Sequence, residues 1–116
     1  MSDRNNYLLV EDIYESGSRI LEYTKEMTFH QFAADQRTID AVIRNFEIIG
    51  EAANRIETNF RREHNHIPWR LLGDFRNRLI HEYFGVDLHI VWSIIEFEMP
   101  NLLVELANLK SGLRDN

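Results

Sequence analysis

A chain of 116 residues, 44% hydrophobic and 28% charged, can bury one core of its own, and a single domain, 1–116, is expected. It has no cysteine, which excludes disulfides, thiolate catalysis and cysteine-bound zinc. The net charge of −6 argues against a standing binder of duplex nucleic acid, which would show a basic face, but leaves room for a local cationic site.

The opening Met1-Ser2-Asp3-Arg4-Asn5-Asn6 is polar and no long apolar run follows it, so no signal peptide is read and a cytoplasmic location is expected. The first helix is predicted from about Asn6 to Met27. Tyr7, Val10, Ile13, Tyr14, Gly17, Ile20, Leu21 and Thr24 recur at helical spacing, with Glu11, Asp12, Glu15 and Arg19 opposite. Thr28 is placed to cap a short helical turn carrying Phe29 and Phe32.

Asp35 is the expected entry to a second long helix. Ile39, Val42, Ile43, Phe46, Ile49, Ala53, Ile56 and Phe60 make its apolar stripe, and Gly50 inside it suggests a close helix contact. The periodicity stops at Arg61, so residues 61–66 read as a loop. Pro68 suits the first turn of a third helix with Trp69, Leu72, Phe75, Leu79, Ile80 and Tyr83, ending near Phe84-Gly85.

Asp87 then caps a fourth helix running to about Leu109, which Pro100 should kink or interrupt. Glu96, Glu98, Pro100, Asn101, Glu105 and Asn108 break the apolar run from Ile90, so it cannot span a bilayer as a free helix, and no membrane partner is expected. This helix is nonetheless apolar on more than one face, which makes it either central or part of a subunit interface. The expected fold is all-α: an antiparallel helical bundle of four main helices.

Chemistry concentrates in the segment from Asp74 to Phe84. Arg76, Asn77, Arg78, His81, Glu82 and Tyr83 fall within little more than two helical turns. A histidine moves protons near neutral pH and an arginine holds a phosphate bidentately. Those two functions suffice for RNA cleavage with no metal and no cofactor: one group takes the proton of a ribose 2′-OH, the oxygen attacks phosphorus, and a cation stabilises the developing charge. Asn77 adds a neutral donor.

Spacing limits what one helix can do. Asn77 and Arg78 share a face with His81, whereas Arg76 and His81 are about 140° apart around an ideal helix. Two copies facing each other across a dimer axis would bring the groups together. The competing reading is a solvated helix face with an Arg78–Glu82 pair. His64 and His66, with Glu63 beside them, lack a partner at helical spacing to complete a metal site. His30 and His89 stand alone. Trp69 and Trp92 read as core or interface anchors rather than stacking platforms for bases. No glycine-rich phosphate loop is present.

At Arg76-Asn77, His81 and Tyr83 the chain resembles the HepT toxins of the HEPN superfamily, whose hallmark is an arginine, a polar residue, three positions, a histidine, one spacer and a tyrosine. Ile49-Gly50-Glu51-Ala52, Ile67-Pro68-Trp69 and Tyr83-Phe84-Gly85-Val86-Asp87 are similar to the same family, as are Val91-Trp92 and Pro100-Asn101-Leu102, so the likeness covers nearly the whole chain in order. The resemblance implies a homodimeric, all-helical ribonuclease with both motifs in a shared cleft, and a cognate minimal nucleotidyltransferase as antitoxin. It also implies neutralisation by transfer of AMP from ATP to Tyr83. In that reading Arg76 polarises the scissile phosphate, Asn77 supports it, His81 is the acid or base, and Arg70 and Arg78 add cationic contacts to RNA. The alternative is a non-catalytic HEPN module that only binds a nucleotidyltransferase partner.

Overall fold

The computed structural model describes the backbone of residues 3–81 and 87–114 and the side chains of residues 5–75 and 87–113. The helices are α1 (Asp3–Tyr23), α2 (Phe29–Ala33), α3 (Gln36–Arg55), α4 (Thr58–Glu63), α5 (Trp69–His81), α6 (Leu88–Ser93) and α7 (Met99–Arg114). A π-helical stretch, Ile94–Glu98, joins α6 to α7. No strand occurs among the described residues. The fold is the expected all-α bundle, with α1, α3, α5 and the rod formed by α6, the π stretch and α7 as its main helices.

Three capping side chains set the helix starts. The Thr28 hydroxyl accepts the Gln31 N–H at 3.1 Å while the Gln31 side chain accepts the Thr28 N–H at 2.9 Å, closing a reciprocal capping box. Asp35 accepts both the N–H and the hydroxyl of Thr38, and these bonds hold its carboxyl below the usual carboxylate range. Asp87 accepts the His89 N–H at 2.9 Å.

The ends differ from expectation. Instead of reaching Met27, α1 stops at Tyr23: the Thr24 hydroxyl donates to the Ile20 carbonyl at 2.8 Å, and Glu26 turns the chain at φ 63°. The stripe from Ile39 to Phe60 is also not one helix. Ile56 is extended (ψ 136°), and Arg61 donates to the Ala53 carbonyl and caps α3 from the side. Arg61, Arg62 and Glu63 are consequently helical rather than loop. Pro100 has no N–H to give, and the helix around it widens to a π turn before continuing to Arg114, beyond the expected Leu109.

α3 packs against both α1 and α5, and α1 packs against α7, so α3 lies at the centre. Val10, Ile13, Ile20, Val42, Phe46, Ile49, Leu72, Met99 and Leu106 are fully or almost fully buried in one core. The fourth helical rod packs on α1 and α2 at the side of the bundle rather than at its centre, and it buries Val91, Ile95, Met99, Leu102, Leu106 and Leu109. Yet it also keeps Ile90, Phe97 and Val104 in solvent. No helix among the described residues is long and apolar enough to cross a membrane.

Gly17 sits where α1 meets α7. A Cβ there would come within 2.8 Å of Leu103 Cδ2 and 3.2 Å of Met99 Sδ. Leu103 is only half-buried and its methyl can swing aside. Gly17→Ala should therefore remain within about 1 kcal/mol of the parent, since crowding opposes the helix-propensity gain. Gly17→Leu should lose about 1–3 kcal/mol by overpacking, and urea unfolding of the pair checks the contrast.

Candidate active site

The site is carried by α5, and its first half is firmly anchored. The Trp69 indole N–H donates to the His64 carbonyl at 3.0 Å, and the ring is buried beside Phe60. Leu72 is buried, and Phe75 meets Phe46 of α3 edge to face, with ring centres 5.1 Å apart. Between them Gly73 lets α3 come close. Asn54 Nδ2 donates to the Gly73 carbonyl at 3.4 Å, and a Cβ at 73 would overlap Asn54 Oδ1. The backbone one turn before Arg76 is therefore pinned to the central helix.

Arg76, Asn77, Arg78 and His81 all lie on the last turns of α5. Their side chains are outside the described residues, as are Glu82 and Tyr83 altogether, so the Arg78–Glu82 pair of the competing reading falls outside them too. Arg70 is on the first turn and exposed, with Asp74, also exposed, one turn further on.

Helical register sorts the motif positions. With about 100° per residue, position 76 falls on the face that holds Leu72, Gly73 and Phe75, which are buried. Positions 78 and 81 fall with Arg70, Leu71 and Asp74, which are exposed. Position 77 lies at the border. One copy of α5 thus offers the arginine and the histidine positions to different sides.

Beside the exposed edge of α5 runs a groove of about 270 Å³, lined by the apolar Leu71, Phe75, Ile94 and Phe97 and by the polar His66, Glu98, Asn101 and Glu105 among others. Phe97 is 74% exposed and Leu71 39% exposed at its rim, large apolar groups that a lone domain gains nothing by showing to water. Neither this groove nor the Asn54–Gly73 approach was foreseen, because each joins segments far apart in sequence.

The other histidines have local partners. The His64 ring lies on Phe60 at 4.5 Å, and His66 Nε2 is 3.5 Å from Glu105 Oε2 on α7. Among the described residues no three His, Asp or Glu side chains gather as a metal set. Trp69 is a core anchor, as expected, whereas Trp92 is half-buried and tilted against Phe32, 5.2 Å between centres.

A family model described as "Ribonuclease HepT-like" matches residues 13–109. Among curated proteins, the chain is 43% identical over 101 residues to a protein of Thermococcus cleftensis named "Probable ribonuclease HepT", covering 87% of this chain and 92% of the relative. It is 37% identical over 98 residues to an RNase candidate of Methanocaldococcus jannaschii, covering 84% of this chain and 81% of the relative. A second protein of that organism, named for a gamma-glutamylcyclotransferase and an RNase candidate together, is 39% identical over 109 residues; the match takes in 94% of this chain but 49% of the relative. No solved structure matches the chain.

Proposed function

Because the chain belongs to the HepT-like ribonuclease family, we propose that it is a metal-independent endoribonuclease that cuts RNA by attack of a ribose 2′-OH on the adjacent phosphate. The observation that carries the reading is the run Arg76-Asn77 to His81 on a helix whose preceding turns are locked to the core, inside a family match spanning residues 13–109. His81 takes or gives the proton. Arg76 and Asn77 stabilise the charge on the phosphate, and Arg78 and Arg70 bring RNA to the site.

The working unit in this proposal is a homodimer. Register sends positions 76 and 81 of one α5 to different sides, so a second copy completes each cleft. The groove edged by Leu71 and Phe97 supports it: that edge of α5 also carries position 78, so a copy seated there comes beside the motif. Mixing Arg76→Ala with His81→Ala protein tests the shared cleft. Each variant alone should be inactive, and mixed dimers should regain cleavage through the one cleft that combines an intact arginine with an intact histidine. A monomer mass by light scattering at micromolar concentration would remove the shared cleft.

The proposal extends to control. The chain acts as the toxin of a toxin–antitoxin pair, and a cognate minimal nucleotidyltransferase silences it by moving AMP from ATP to the Tyr83 hydroxyl, releasing pyrophosphate. The added phosphate and bulk beside a cationic site repel and block RNA phosphate. Incubation with that transferase and ATP should raise the intact mass of the parent by one or more AMP groups and leave Tyr83→Phe unchanged. A full adduct on Tyr83→Phe would refute Tyr83 as the acceptor.

A further inference from the structure

α2 and α6 meet through a graded aromatic stack that residue spacing alone does not foretell. Phe32 is buried at its root, and Trp92, half-buried, tilts against it. Phe29 meets Trp92 edge-on, with 6.4 Å between centres and 68° between planes. The His89 ring then lies almost parallel on Phe29, 4.0 Å away at 19°. His89 is exposed, so the stack ends in a planar ring facing solvent. His30, also exposed, flanks Phe29 at 6.1 Å.

The position of this stack ties it to the candidate active site. The Asp87 side chain caps α6 through the His89 N–H, which fixes His89 on the first turn. Six chain steps separate His81 from Asp87, and at about 3.6 Å per step their Cα atoms lie no more than about 22 Å apart. A strand of a few nucleotides held at the motif can reach it.

Charge then selects what the stack can recognise. With a net charge of −6 the protein cannot rely on many phosphate contacts, and the Asp87 carboxylate beside His89 disfavours a phosphate at that spot. A neutral, flat group meets neither objection. Bases splayed from single-stranded RNA stack on aromatic side chains, histidine included, with little dependence on sequence.

We propose that His89, backed by Phe29, is a stacking subsite for one unpaired base of the RNA substrate, a few nucleotides from the scissile phosphate. The subsite rests on the ribonuclease reading for its substrate and adds to it a preference for single-stranded or looped RNA. His89 and Phe29 act in binding, outside the proton transfer.

The test separates stacking from cleavage by using RNA that cannot be cut. A fluorescein-labelled 2′-O-methyl decamer of mixed sequence lacks the attacking hydroxyl, and an abasic decamer keeps the same phosphates without bases. By anisotropy the parent should bind the base-bearing decamer about tenfold more tightly than the abasic one. His89→Ala and His89→Lys should lose that preference, and His89→Tyr should restore it. Lysine controls for charge, and tyrosine keeps an aromatic face if alanine disturbs α6. Equal affinity of the parent for both decamers, including no binding to either, overturns the subsite, as does a preference that survives in His89→Lys. Because the decamer cannot be cleaved, failure of the ribonuclease reading leaves this result readable. Cleavage with unchanged KM in His89→Ala would remove the subsite and leave the ribonuclease standing.

Discussion

His81→Ala should abolish RNA cleavage, lowering the rate by a factor of about 10²–10⁴, while helix content and mass in solution stay those of the parent. Of the residue types at Arg76, Asn77, Arg78 and His81, only histidine is suited to carry a proton to and from a reacting group near neutral pH; arginine holds its proton and an amide does not ionise. Position 81 is also the last residue of α5, six residues past the Phe75–Phe46 contact. The substitution therefore removes the proton carrier of the motif. Circular dichroism and light scattering check that the variant keeps the parent's fold and assembly state, and cleavage unchanged in that folded variant would withdraw the assignment of His81.

The largest effect on stability is expected at Phe46. Its side chain is 1% exposed at the centre of α3 and meets Phe75 edge to face, so it joins the central helix to the helix that carries the motif. Phe46→Ala should cost about 3–5 kcal/mol from lost burial and the cavity left behind. For a domain of this length that lowers the melting temperature by roughly 10–20 °C. Activity should fall at temperatures where the variant is still folded, since α5 loses the contact just ahead of Arg76. A melting temperature within about 2 °C of the parent would mean that the core does not depend on this pair.

Much of the architecture could be read in advance because its signals are local. Thr28, Asp35 and Asp87 each precede an apolar pattern, and each caps a helix. Pro100 marked the break that became the π turn. The errors came where the decisive contact is remote or breaks the usual code. Ile56 and Phe60 keep the apolar rhythm across the end of α3, and both are buried, while the cap comes from Arg61. Glu26 takes a left-handed turn that glycine usually marks, so the end of α1 carried no flag. Asn6, Ser16 and Asn45 are buried polar residues that a hydropathy pattern assigns to neither face.

The candidate site divides in the same way. The residue types at Arg76, Asn77 and His81 announced phosphate and proton chemistry, and helical arithmetic warned that one α5 does not bring them together. The fold explains the support of that helix through Trp69, Gly73 and Phe75. Spacing could not reveal the groove edged by Phe97 or the His89–Phe29 stack, because both are made between elements distant in the chain.

Metal-independent ribonuclease activity is decided by cleavage of total tRNA in EDTA, using protein whose intact mass shows no adduct. Fragments ending in 2′,3′-cyclic phosphate, produced without divalent metal, are the expected result. Intact RNA, or cutting that begins only when a divalent metal is added back, would contradict it.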